Sequence, residues 1–170
     1  LHKLVETLRE ASFYNAGQDC TAACRIFVER PVAEALTGKL ETMLGSLVYG
    51  QPERDDVEFG PVISRRQLER VSGFVERAKG SGYDVMAGAK AETTGFFHAP
   101  TLVAAPIDAE IVQKEVFGPV VSITAFDGLD QAVAWANASE YGLGSSVWSR
   151  DGEKALSVAN ALEYGVTWIN

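Results

Sequence analysis

Histidine and cysteine are scarce in this chain, with two of each among 170 residues. His2 and His98 do not cluster with each other or with the cysteines, so no ligand set for a zinc site can be assembled. A disulfide-stapled fold is not indicated either, because nothing points to an oxidising compartment. Positive charge is also in short supply: 15 Lys and Arg face 23 Asp and Glu, a net charge of −8. An acidic protein without a concentrated basic face binds neither nucleic acid nor an anionic membrane well. The one dense basic spot, Arg65 and Arg66 with Arg70, is interrupted by Glu69 and reads as a solvated helix face. No run approaches the ~20 apolar residues of a transmembrane helix. The opening Leu1-His2-Lys3-Leu4-Val5-Glu6 is too charged for a secretory signal, so a cytoplasmic location is expected.

Linkers, repeats and low-complexity tracts are missing too, which leaves one domain, 1–170, as the expectation. A chain of this length buries roughly 70% of its unfolded surface, enough for a proper core. Its first residues already read as helix, without an initiating methionine. Its last, Gly165 to Asn170, read as a strand with no polar tail. An excerpt of a longer protein is therefore expected.

Apolar periodicity alternates between helix and strand. Val32, Leu36, Leu40, Met43, Leu44 and Leu47 fall on one face of a helix over 31–47, with Pro31 suited to its first turn. Ser64 is a good N-cap for a second helix through Leu68, Val71, Val75 and Ala78, ending near Gly80 or Gly82. A third helix carries Ala132, Val133 and Ala136, and a fourth, from about Gly152, carries Ala155, Leu156, Ala159 and Leu162. Runs rich in β-branched and aromatic residues at 25–28, 84–87, 100–103, 120–126, 145–148 and 166–170 read as strands. The alternation predicts an α/β fold of three layers, a largely parallel sheet with helices on both faces.

The segment from Phe13 to Arg25 carries the chemistry. It sets Cys20 three residues after Gly17, among small residues, with Cys24 four residues further on. A packed, inert thiol is the commonest fate of cysteine. Cys24, leading into the strand at 25–28, suits that fate. Cys20 suits it less, lying between Asp19 and Thr21 after the flexible Ala16-Gly17. Neither histidine is placed to act as its base, since no third group orients one. The residues alone stop at an α/β domain in which Cys20 is either packed or reactive.

Phe13-x-Asn15-x-Gly17-Gln18-x-Cys20 with Arg25 resembles the active-site cysteine signature of the NAD(P)-dependent aldehyde dehydrogenases. Gln113-Lys114-Glu115-Val116-Phe117-Gly118-Pro119-Val120 resembles the second signature of that superfamily. Gly60-Pro61, Ala99-Pro100-Thr101, Tyr141-Gly142-Leu143 and Trp168-Ile169-Asn170 match as well, so the similarity runs the whole chain. Within the superfamily, Tyr14 and the run from Gly17 to Arg25 look most like γ-aminobutyraldehyde (1-pyrroline) dehydrogenases, with betaine aldehyde dehydrogenases as near relatives.

The resemblance implies that Cys20 attacks an aldehyde carbon as thiolate, gives up a hydride to NAD (NADP stays open) and leaves a thioester for water to hydrolyse. Sulfur suits this cycle because the tetrahedral adduct donates hydride and the thioester remains reactive. A free thiol of pKa ~8.5 is only partly ionised at neutral pH, so the site is expected to lower it. The Cys20 backbone amide is expected to help hold the oxyanion. Glu115 corresponds to the glutamate that binds the nicotinamide ribose and Phe117 to the aromatic beside that ring. Gln67 and Arg70 align near the cofactor's ribose region. Without the resemblance, Glu115 reads as a solvated loop carboxylate, Phe117 as core, and Gln67 and Arg70 as helix surface. Asp19 is expected to point away from the sulfur, toward a cationic substrate, and Tyr14, Trp168 and less so Trp148 could face an ammonium group.

No glycine-rich dinucleotide loop occurs in the chain. The family's cofactor domain, its glutamate base and its oxyanion asparagine lie upstream of the cysteine signature. Its C-terminal arm lies downstream. The chain is thus expected to be the catalytic domain of a longer homo-oligomeric enzyme acting on a small aldehyde, and inactive as a dehydrogenase when isolated. The competing expectation is a non-catalytic family fragment that serves assembly or partner binding.

Overall fold

Helix α1, His2–Phe13, runs straight into a tight 3₁₀ turn, Tyr14–Gly17, where the helical path is broken by left-handed backbone. The computed structural model describes residues 1–89 and 94–170. Strand β1 (Arg25–Glu29) passes directly into α2 (Arg30–Ser46), whose first turn accepts Pro31 because the amide it lacks has no helical partner there. A loop leads to α3 (Arg65–Gly80), where the Ser64 hydroxyl caps the helix by accepting from the Gln67 N–H at 3.2 Å. Then follow β2 (Asp84–Ala87), β3 (Thr101–Ala104), the one-turn helix α4 (Glu110–Gln113) and β4 (Val120–Phe126). The chain closes with α5 (Leu129–Asn137), β5 (Gly144–Val147), α6 (Gly152–Ala161) and β6 (Val166–Ile169).

The main sheet has the order β1-β4-β3-β2, parallel except for the antiparallel edge β2. β4 is central, and Val120 through Thr124 are all buried, the continuous burial of a parallel strand covered on both faces. Alternation along the strands sends side chains to opposite faces. Leu102, Val121 and Ile123 pack with Leu8 and Phe13 of α1 and Leu36, Leu40 and Leu44 of α2. Val103 and Val120 pack with Val71, Phe74 and Val75 of α3 and Ile111 and Val112 of α4. These two cores make the three layers, and truncating one of their leucines to alanine costs about 2–5 kcal/mol.

The α/β class and the helices on both faces agree with the sequence reading. One sheet does not hold all the strands, however. β5 and β6 pair in parallel with each other as a separate two-stranded ribbon. Leu143, Val166, Trp168 and Ile169 on and beside it stand exposed. No described helix is long and apolar enough to cross a membrane.

Candidate active site

The cysteine loop is an excursion closed at its base. The Ala23 N–H donates to the Ala11 carbonyl at 2.9 Å, and the buried Ser12 hydroxyl donates to the Ala23 carbonyl at 2.8 Å. Between these ties the backbone turns left-handed at Asn15, Ala16 and Gly17, with φ of 51°, 55° and 69°. Such angles are uncommon outside glycine and asparagine, and a run of them must be held by its surroundings. Gln18 does much of the holding. Its amide donates to the Asn15 carbonyl at 3.2 Å, and its side-chain oxygen accepts the Ile63 N–H at 2.9 Å, tying the loop to the segment that enters α3. The Asn15 side chain returns a bond to the Gln18 carbonyl at 2.9 Å.

Cys20 sits at the exposed tip. The Ala22 N–H donates to the Asp19 carbonyl at 3.1 Å, so Cys20 and Thr21 are the central residues of a tight turn. One Asp19 carboxylate oxygen accepts both the Thr21 hydroxyl and the Thr21 N–H, each at 2.6 Å. These bonds hold the Asp19 carboxyl below its ordinary range, the hydroxyl contributing most. Among the described residues no acceptor takes the Cys20 N–H.

The second signature forms the loop from α4 to β4, and the two signatures touch backbone to backbone. A methyl built on Gly17 would lie 2.1 Å from the Gly118 carbonyl oxygen. One built on Gly118 would lie 2.4 Å from a Val71 methyl, so α3 presses on the same point from behind. Phe117, just before it, has φ of 60°, a strained angle for a bulky residue. Gln67 donates to the Phe117 carbonyl at 2.7 Å and to the Val116 carbonyl at 3.3 Å. Arg70 donates to the Glu115 carbonyl at 2.6 Å. Sequence reasoning set Gln67 and Arg70 beside a cofactor. The structure places their polar heads on the backbone of the loop that carries Glu115 and Phe117. The Glu115 carboxylate itself, half-buried, has no hydrogen-bond or ion-pair partner among the described residues.

Other expected site residues divide. A methyl on Gly144 would lie 3.2 Å from the Trp168 ring and 3.9 Å from the Thr21 side chain, which brings β5 and Trp168 to the cysteine turn. Tyr14 is 64% exposed at the head of the turn, and among the described residues no hydrogen bond or aromatic contact holds its side chain. Trp148 lies instead under the Lys3 ammonium, 5.9 Å from its ring centre. Cys24 corrects an expectation: it is not packed away but surface-accessible. Its recess desolvates the thiol and pushes its pKa up, opposed by Arg25 and reinforced by the nearby Glu115 carboxylate. His98 bonds through Nδ1 to the Ala99 carbonyl at 2.8 Å, and burial pushes its pKa down. Among the described residues no cluster of His, Cys, Asp or Glu could hold a metal.

Sequence reasoning missed the parts of Ser12, Gln18 and Ser139, and saw Tyr141 only as part of a matching tripeptide. Arg25 donates to the Ser139 hydroxyl at 2.9 Å and to the Trp135 carbonyl at 3.3 Å, which ties β1 to the end of α5. The Tyr141 hydroxyl accepts the Glu115 N–H at 3.2 Å. No local pattern announces bonds between residues so distant in sequence.

A profile of the aldehyde dehydrogenase family matches residues 1–170. Among solved structures, an NAD+ complex of an aldehyde dehydrogenase from Bacillus cereus superposes with a TM-score of 0.93 at 35% identity, covering 99% of this chain and 35% of that one. A betaine aldehyde dehydrogenase from Staphylococcus aureus in complex with NAD+ superposes with a TM-score of 0.91 at 33% identity, over 97% of this chain and 34% of that one. An NAD-dependent aldehyde dehydrogenase from Sinorhizobium meliloti gives 0.92 at 32% identity, over 98% and 34%. This chain therefore spans about a third of the length of the structures it matches.

Proposed function

Since the chain belongs to the aldehyde dehydrogenase family, we propose that it is the nucleophile-bearing part of a longer polypeptide that oxidises an aldehyde to its acid with NAD, through Cys20. The observation that carries this reading is the backbone contact of Gly17 with Gly118. It joins the loop that carries the exposed Cys20 to the loop that carries Glu115 and Phe117, and a side chain at Gly17 would drive into the Gly118 carbonyl and part the two.

The residues on that loop fit a nicotinamide dinucleotide. The half-buried Glu115 carboxylate, without a partner among the described residues, is a suitable acceptor for the two hydroxyls of a ribose, and the half-buried Phe117 offers a ring face nearby. When bound, that group accepts a hydride. The chain's own residues do the rest. Cys20 adds as thiolate to the aldehyde carbon, forming a C–S bond and an alkoxide. The free Cys20 N–H donates to that oxygen, a kind of contact worth ~3 kcal/mol in the transition state. As the alkoxide collapses to a carbonyl, the C–H bond breaks with its electron pair and a thioester remains on Cys20. Water then adds to the thioester carbon, loses a proton and expels the thiolate. One aldehyde, one NAD+ and one water give acid, NADH and a proton. The base for the water and a second oxyanion donor belong, in this reading, to the upstream part of the polypeptide, so the isolated chain would not turn over.

An amino- or ammonio-aldehyde such as 4-aminobutanal suits the surroundings of the turn. Tyr14 and Trp168 present aromatic faces, 64% and 52% exposed, that can attract a cation. Asp19 keeps one carboxylate oxygen clear of its Thr21 bonds. The exposed strip of Leu143, Val166, Trp168 and Ile169 fits cover by the remaining polypeptide and by a second copy in a cytoplasmic homo-oligomer. In the complete polypeptide, Cys20→Ala should lower aldehyde-dependent NADH formation by at least about a thousandfold, since it removes the nucleophile of the covalent step. Undiminished turnover would remove Cys20 from the chemistry.

A further inference from the structure

Outside both signatures, residues 139–141 join the two halves of the site. Ser139 is the hub. Its hydroxyl receives a bond from Arg25 at 2.9 Å, and it accepts the Tyr141 N–H at 3.2 Å. The Tyr141 hydroxyl in turn accepts the Glu115 N–H at 3.2 Å. Next to it, Glu140 pairs with Lys114 at 2.8 Å. Two consecutive residues of one turn thus grip two consecutive residues of the second signature, while the same turn is anchored by the last residue of the first.

The grip has a specific consequence for Glu115. Its two flanking peptides are both held, the N–H on Tyr141 at 3.2 Å and the carbonyl on Arg70 at 2.6 Å. Two residues later the backbone sits at the strained φ of Phe117. A carboxylate without a partner of its own is aimed only as well as its backbone is fixed. Gln67 and Arg70 fix that backbone from the α3 side, and Tyr141 is the side chain that fixes it from the other.

We propose that Tyr141 is a positioning residue for dinucleotide binding, acting through the Glu115 backbone, with Ser139 setting Tyr141 in place. This inference rests on the assignment of Glu115 as the ribose acceptor. It adds that the affinity for the cofactor is controlled from the turn at 139–141, through the Glu115 backbone. The hydroxyl is the working group, because it is the atom that accepts the Glu115 N–H, on a residue that is otherwise 41% exposed.

The test is a double-mutant cycle in the complete polypeptide, reading KM for NAD, KM for the aldehyde and kcat for Tyr141→Phe, Glu115→Ala and the pair. Tyr141→Phe should raise KM for NAD roughly tenfold, the size of one lost hydrogen bond, with the aldehyde KM unchanged. In the Glu115→Ala background the same change should add less than about twofold, because the contact it serves is gone. A purely structural role would persist undiminished in that background and would overturn the proposal. So would a Tyr141→Phe enzyme with a normal KM for NAD. A Glu115→Ala enzyme with a normal KM for NAD would overturn the assignment of Glu115 instead. Ser139→Ala supplies a second reading of the same contact, with a smaller rise in KM for NAD expected and no rise contradicting it.

Discussion

At Gly17 two constraints fall on one residue. Its φ of 69° strains any residue with a Cβ, and the Cβ would meet the Gly118 carbonyl oxygen at 2.1 Å. The opposing atom is backbone, so no rotamer change relieves the clash. Gly17→Ala should therefore cost more than the ~1–2 kcal/mol of left-handed backbone alone, a loss that urea unfolding would read, and activity should fall with it. A variant of normal stability would mean that the two loops do not meet as described. The sequence made Gly17, Gln18 and Cys20 legible as a motif. It did not show that Gln18 serves by bonding Ile63, or that Asp19 spends one oxygen on Thr21, because those partners are fixed by the folded turn. Cys24 was misjudged for a related reason. The residue before a buried-looking strand was taken to share its burial, yet Cys24 stays exposed although its carbonyl already joins the sheet, accepting the Ser122 N–H at 2.9 Å.

Among the elements, the helices over Arg30–Ser46 and Arg65–Gly80 and the strand Val120–Phe126 could be read closely in advance, since apolar period, proline and a serine cap mark them. The one-turn helix Glu110–Gln113 is too short to show a period. How α1 is fastened to the loop after α2 was also illegible. Arg9 donates to both oxygens of Glu58 and to the Ser46 hydroxyl at 2.8 Å, while the Val48 N–H adds a bond to Glu58 at 3.0 Å. Partial burial alone would raise the Glu58 pKa, but Arg9 and the Val48 amide outweigh it, and the net shift is downward from 4.5. A carboxyl with a lowered folded pKa stabilises above its unfolded value and loses that contribution as pH falls through the folded one. Glu58 is one-third open to solvent, which discounts the effect to about 1 kcal/mol. Urea unfolding should show Glu58→Gln less stable than the parent at pH 7, the gap closing as pH falls below the ordinary carboxylate range. A gap independent of pH would deny the pairing.

For the molecule as a whole, the sequence carried the α/β class and the order of elements. The separation of the β5–β6 ribbon from the four-stranded sheet was hidden, because pairing joins residues far apart in sequence and period 2 does not name a partner. The site has the same character: its two halves lie about 100 residues apart and meet only in the fold. The account turns on Cys20, rather than the neighbouring Cys24, also exposed, being the residue that bonds to substrate. Rapid acid quenching of the complete polypeptide with an ammonio-aldehyde and NAD, followed by fragment mass spectrometry of the peptide ending at Arg25, tests this most directly. The acyl mass should sit on Cys20 and vanish in Cys20→Ala. An acyl group on Cys24, or turnover with neither cysteine acylated, would contradict the account.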